Sequence, residues 1–215
     1  GGGLGSDHIR LLLNGEATRD KILNAMEWLA SRSFENDLVI IYMAMHGMVD
    51  QGEFYFLGYD SDPKSLFATG VKRSEVEALQ QRLRSSKVVW FADACHSGSL
   101  GEDPQIAMRA SRASSTNRLL GEIAKARNGL AMFMSAQYDQ YSQESPKWGG
   151  GHGVFTYYLL KGLRGEADRN SDSFVTLSEL YDFVSRQVSE ATEGKQNPKL
   201  GGGTYDRSLT LSVVK

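Results

Sequence analysis

Alternating apolar strand-like runs and amphipathic helical patterns predict an α/β fold built on a mostly parallel sheet covered on both faces. The runs 38–45 (LVIIYMAM), 88–92 (VVWFA) and 129–136 (GLAMFMSA) are rich in β-branched, aromatic and other apolar side chains, as strands buried on both sides must be. Segments with apolar residues three and four apart separate or follow them. The chain of 215 residues, 40% hydrophobic and 23% charged, is long enough to bury the core of one domain, and no internal repeat is visible.

In chain order, Thr18 is placed to cap a helix to about Ala30 with Ile22, Met26 and Leu29 on one face. Next comes the strand Leu38–Met45, ending at His46-Gly47. Residues 53–60 (EFYFLGYD), between the turn-like stretches 50–52 and 60–63, read as a short hairpin. Ser74 and Glu77 suggest a capping box for a helix with Val76, Leu79 and Leu83 facing inward. The strand 88–92 follows, leading into Asp93-Ala-Cys95-His-Ser-Gly98. The polar, Arg- and Ser-rich composition of 99–121 reads as a mobile loop. After the strand 129–136 come a polar stretch, 137–147, and a glycine cluster, 149–153. Val154–Leu163 is helical and stops at Gly165; Thr176 caps a helix with Leu177, Leu180, Val184 and Val188 buried; Leu209–Val214 closes as a strand.

Bulk properties remove several function classes. A net charge of −2 gives no general basic field, so nucleic acid is not an expected partner. One cysteine can form neither an internal disulfide nor a zinc cluster. The longest unbroken apolar run, 38–45, is far short of the ~18–20 residues that span a bilayer, and 1–7 (GGGLGSD) lacks the order of a signal peptide. The expectation is a soluble cytoplasmic protein without a membrane partner.

The thiol of Cys95 follows one predicted strand and the imidazole of His46 follows another, at the sheet edge where open α/β folds place their chemistry. At its reference pKa a thiol is mostly protonated at neutral pH, so it needs a base to attack rapidly. His46 is the best candidate. His96 adjoins Cys95 and should point away, and His152 lies in a glycine run. Gly47 has no side chain to obstruct its amide, which with the Cys95 amide can form an oxyanion hole. Asp93, two residues before Cys95 on an extended strand, projects to the same side as the thiol.

These motifs resemble the caspase-like cysteine peptidases (peptidase C14). Residues 42–47 (YMAMHG) and 93–98 (DACHSG) carry the likeness, with a His-to-Cys separation near the ~50 residues of caspases. It extends through 153–165 (GVFTYYLLKGLRG) and 175–180 (VTLSEL), and the Asp-x-Cys-His-Ser-Gly form is similar to metacaspases and their prokaryotic relatives. The resemblance implies a three-layer α/β/α sandwich over 1–215, with a large-subunit-like part of about 1–98, an intersubunit-type loop of about 99–121 and a small-subunit-like part of about 122–215. It further implies a Cys95/His46 dyad, a thioester intermediate and no cofactor for the chemistry. It gives Asp93, with Asp139 as a second acidic contributor, the role of binding a substrate Arg or Lys. Arg109, Arg112 and Arg118 are then candidate self-cleavage sites. Two departures stand out: Ala44 replaces a small hydroxyl residue common two positions before the histidine, and the family's strand and helix ahead of 9–13 are not found, as processing or truncation would produce.

One segment has two readings. Asp168, Asn170, Asp172, Thr176 and Glu179 fall at positions 1, 3, 5, 9 and 12 of an EF-hand calcium loop. Ser173 stands where that motif wants glycine, and Thr176 with Glu179 is equally a capping box. The expected function is a cysteine endopeptidase acting on peptide substrates after Arg or Lys and capable of autoprocessing, with an upstream sensor domain or protein as a candidate partner. The alternative is a caspase-fold interaction module without catalysis.

Overall fold

The computed structural model describes residues 5–93, 118–125, 127–137 and 140–214. Cys95, His96, Arg109, Arg112 and Asp139 lie outside the described residues. In chain order the elements are α1 (Arg19–Arg32), β1 (Leu38–Ala44), β2 (His46–Asp50), β3 (Glu53–Leu57), α2 (Leu66–Thr69), β4 (Val71–Lys72), α3 (Arg73–Gln81), β5 (Lys87–Asp93) and a helix α4 over 118–125. They continue as β6 (Leu130–Met134), α5 (Val154–Lys161), β7 (Phe174–Thr176), α6 (Leu177–Ala191), β8 (Lys199–Gly201) and β9 (Thr210–Val213).

The central sheet has the order β1-β5-β6-β8, with β1, β5 and β6 parallel and β8 antiparallel at one side. Strand alternation divides its side chains between two cores. Val88, Trp90, Leu130 and Met132 pack with Ile22, Val76, Leu120 and Ile123, so α1, α3 and α4 cover one face. Val89, Phe91, Ala131 and Phe133 pack with Phe155, Leu159, Leu180 and Val184, so α5 and α6 cover the other. This is the α/β sandwich the sequence predicts. The Phe133 ring meets Phe155 edge-on at 5.0 Å and Tyr181 at 5.4 Å, seating both α5 and α6 on β6. Leu177, Leu180, Val184 and Val188 of α6 are all fully buried, each contributing about 1.5–3 kcal/mol of apolar burial.

Three local features differ from the sequence expectation. The hairpin is formed by β2 and β3, not within 53–60: Gln51 (φ 47°) and Gly52 (φ 84°) make the two-residue turn with both φ values positive that strand twist favours. Ser74 is not the cap of α3. Lys72 pairs with Tyr55 in β4, which leaves its backbone extended (ψ 144°), and the carboxylate of Glu75 accepts from the Lys72 amide at 2.9 Å; Glu77 instead pairs with Arg73 at 2.6 Å. Residues 118–125, within and just past the expected loop, are helical because Leu120, Ile123 and Ala124 reach the core from one helix face. The C-terminal strand β9 pairs with β7 in a separate two-stranded sheet.

The crossing from α4 into β6 is held by Arg127, whose guanidinium donates to the carbonyls of Gln80 (3.1 Å), Leu83 (2.7 Å) and Ser85. Burial pushes its pKa down from the usual value. Two residues on, Gly129 has φ 79°, and a Cβ there would lie 2.3 Å from the Ser86 carbonyl oxygen. Its own amide donates to Thr204 at 2.7 Å and its carbonyl accepts from Val88 at 2.8 Å, so the backbone cannot swing aside without breaking both. Gly129→Ala should therefore cost more than about 2 kcal/mol and lower the melting temperature by at least about 5 °C, as calorimetry would read.

Candidate active site

The parallel register of β1 and β5 sets the site. Every residue of β1 has a partner in β5, and the last pair is Ala44 with Asp93. His46 follows Ala44 by two positions and Cys95 follows Asp93 by two, so the chain reaches both motifs from adjacent, aligned strands. His46 is exposed and opens β2, opposite Leu57, rather than ending β1; Gly47 is half-buried opposite Phe56. His152 is exposed in the glycine run, its amide bonded to the Trp148 carbonyl at 2.9 Å.

Asp93 ends β5 on the face covered by α5 and is 1% exposed. A carboxylate removed from water to that extent needs donors. One is the Thr156 hydroxyl of α5, which donates to Asp93 Oδ2 at 2.5 Å and lies 2.7 Å from the Tyr42 hydroxyl of β1. Three elements distant in sequence thus meet at one carboxylate. The sequence reading missed Thr156 and Tyr42, because a threonine in the first turn of a helix and a tyrosine in a strand have no signal of their own.

The described residues on either side of 138–139 are held by groups the sequence did not single out. The Ser135 and Ser142 hydroxyls bond each other. The fully buried Gln196 side chain donates to the Ser135 carbonyl at 2.8 Å and accepts from the Gln143 amide at 2.7 Å, while the Asn197 amide donates to Gln140 Oε1 at 2.7 Å. Of the candidate self-cleavage residues, Arg118 is described: it is exposed at the start of the described part of α4.

At the calcium-loop lookalike, Asp168 accepts from the amides of Asp172 (3.2 Å) and Ser173 (3.0 Å), and Asp172 accepts from Phe174 (2.8 Å). Ser173 adopts the positive φ (70°) that the motif would give to glycine. The Glu179 carboxylate is turned to the helix start, accepting from the Thr176 amide (3.0 Å) and hydroxyl (2.8 Å), and the Glu179 amide returns a bond to Thr176 Oγ1 (3.3 Å). Among the described residues no cluster of three or more His, Cys, Asp or Glu is arranged to hold a metal ion. Asn170 and Glu179 both line a depression of about 510 Å³, together with Glu166, Asp182, Arg169 and Arg186. It does not include His46 or Asp93.

Helices on both faces of a mostly parallel sheet, with two aligned strands leading into the histidine and cysteine motifs, make an α/β sandwich domain. Residues 8–209 match the family described as Caspase domain (Peptidase_C14), and the chain belongs to that family. It also resembles in fold a crystal structure of a Geobacter sulfurreducens protein, at a TM-score of 0.60 and 19% identity over 95% of this chain and 82% of that one. Comparison with curated proteins finds no match. Among the described residues no helix is long and apolar enough to cross a membrane.

The reciprocal bonds of Thr176 and Glu179 make a capping box sufficient to explain both residues. Thr176→Ala should then destabilise the domain by about 1 kcal/mol in denaturant titration. Millimolar calcium should give no binding heat and no rise in melting temperature; a clear rise would restore the calcium reading of Asp168 to Glu179.

Proposed function

We propose that the chain is a cysteine endopeptidase that hydrolyses peptide bonds after Arg or Lys, with Cys95 as nucleophile and His46 as general base and then acid. The Cys95 sulfur bonds to the scissile carbonyl carbon as its proton passes to His46, and the oxygen takes up negative charge facing the amides of Gly47 and Cys95. Collapse expels the amine, which receives the proton from His46, and leaves a thioester. Water, deprotonated by His46, then attacks the thioester carbon; the C–S bond breaks, His46 returns the proton to the Cys95 sulfur, and the carboxylic acid is released. Asp93, with Asp139 as a second contributor, supplies negative charge for the substrate's basic side chain. The observation that carries this reading is the β1–β5 register, which ends at Ala44 and Asp93 with His46 and Cys95 each two positions beyond.

Cys95→Ala should abolish hydrolysis of arginyl peptides, and His46→Ala should lower kcat/KM by about 10²–10⁴ with folding retained, since nucleophile and base act together. Profiling a peptide library with all three proteins tests activity and preference at once. Near wild-type turnover by Cys95→Ala, or cleavage after Asp, would overturn the assignment.

Self-cleavage belongs to the same reading, with Arg109, Arg112 and Arg118 presented in cis at high effective concentration. Intact-mass analysis of active protein should find fragments ending at one of these arginines. The fragments should be missing from the Cys95→Ala protein; a fully active enzyme that stays whole would exclude self-cleavage as a required step.

A further inference from the structure

We infer that Thr156 is a positioning residue for Asp93, and that it sets the preference for Arg over Lys by locking one oxygen of that carboxylate through a hydroxyl relay from Tyr42. The inference rests on the proposed role of Asp93 in binding a basic side chain.

The direction of the relay follows from counting protons. An ionised carboxylate only accepts, so the 2.5 Å bond to Asp93 Oδ2 takes the single proton of the Thr156 hydroxyl. The Tyr42 hydroxyl, 2.7 Å away, must then donate to Thr156 Oγ1. Thr156 sits inside the first turn of α5, whose N-cap is Gly153. Its place is rigid: Phe155, the preceding residue, is fully buried against Phe133, and a β-branched side chain in a helix has few rotamers. Ala44, the register partner of Asp93, brings no hydroxyl, so α5 supplies one from across the layer.

A fixed carboxylate plane discriminates between cations. Guanidinium pairs through a planar fork and loses most when the acceptor rotates, whereas ammonium is a compact charge that tolerates the change. Loss of the Thr156 hydroxyl should therefore harm arginyl substrates more than lysyl ones.

The test compares Thr156→Val, which keeps the shape without the hydroxyl, with Thr156→Ser, Tyr42→Phe and Asp93→Asn. The readouts are kcat and KM on matched arginyl and lysyl peptides, and the rate of Cys95 alkylation by iodoacetamide. Thr156→Val should lower kcat/KM on arginyl peptides about tenfold, chiefly through KM, and shrink the Arg/Lys ratio, with alkylation within about twofold of wild type. Thr156→Ser should recover most of the loss, and Tyr42→Phe should show a smaller loss in the same direction. An unchanged Arg/Lys ratio in Thr156→Val, or a serine variant as impaired as the valine one, overturns the relay. If Thr156→Val does not fold, Tyr42→Phe decides: an unaltered ratio there overturns it. Asp93→Asn separates the two levels. Retained Arg preference in that variant removes the underlying role of Asp93, while loss of preference there with Thr156→Val unaffected removes the relay alone.

Discussion

Burial of β5 on both faces is the constraint from which the rest of the molecule follows. Val88 to Asp93 are all buried, with β1 and β6 paired on either side and helices above and below. A strand in that position cannot slip by one residue, because the period of two would send Trp90 and Ala92 into the α5–α6 core and Asp93 into the opposite one. The alignment of the histidine and cysteine motifs is therefore a by-product of apolar packing. The strand ends at the sheet edge inherit their alignment from residues buried in the core.

The parts of the fold legible in the sequence were those with strong periodicity. The strands around Ile40, Val89 and Met132, the Thr18 and Thr176 caps and the buried face of α6 all rest on patterns longer than one turn or one pleat. Short elements were harder to read. The cap at Lys72 depends on a two-residue strand that exists only because β3 lies beside it, and no local pattern announces such a pairing. In α4, Leu120, Ile123 and Ala124 carry a helical signal, but the polar run before them obscured it. The hairpin was shifted because residues 46–50 include a histidine and glycine that read as a strand end rather than a beginning.

The candidate site divides in the same way. His46, Gly47 and Asp93 could be named from their motifs, since each sits beside a strand with an unmistakable apolar run. Thr156 and Gln196 could not. Their importance comes from what the tertiary fold brings to them: a buried carboxylate in one case, and the backbone at two ends of a loop in the other. Polar residues of this kind are fixed by a partner more than 50 positions away, and single-sequence reading has no access to that distance.

The clasp around Arg127 bears on which arginines of this chain a protease could reach. Its guanidinium is spread over three carbonyls where α3 runs into β5, so the side chain that a specificity pocket would grip is already engaged inside its own protein. Cutting there would require the α3–β5 junction to come apart first. With this guanidinium engaged and Arg118, nine positions earlier, exposed, susceptibility to cleavage after arginine depends on local unfolding energy as well as on side-chain identity.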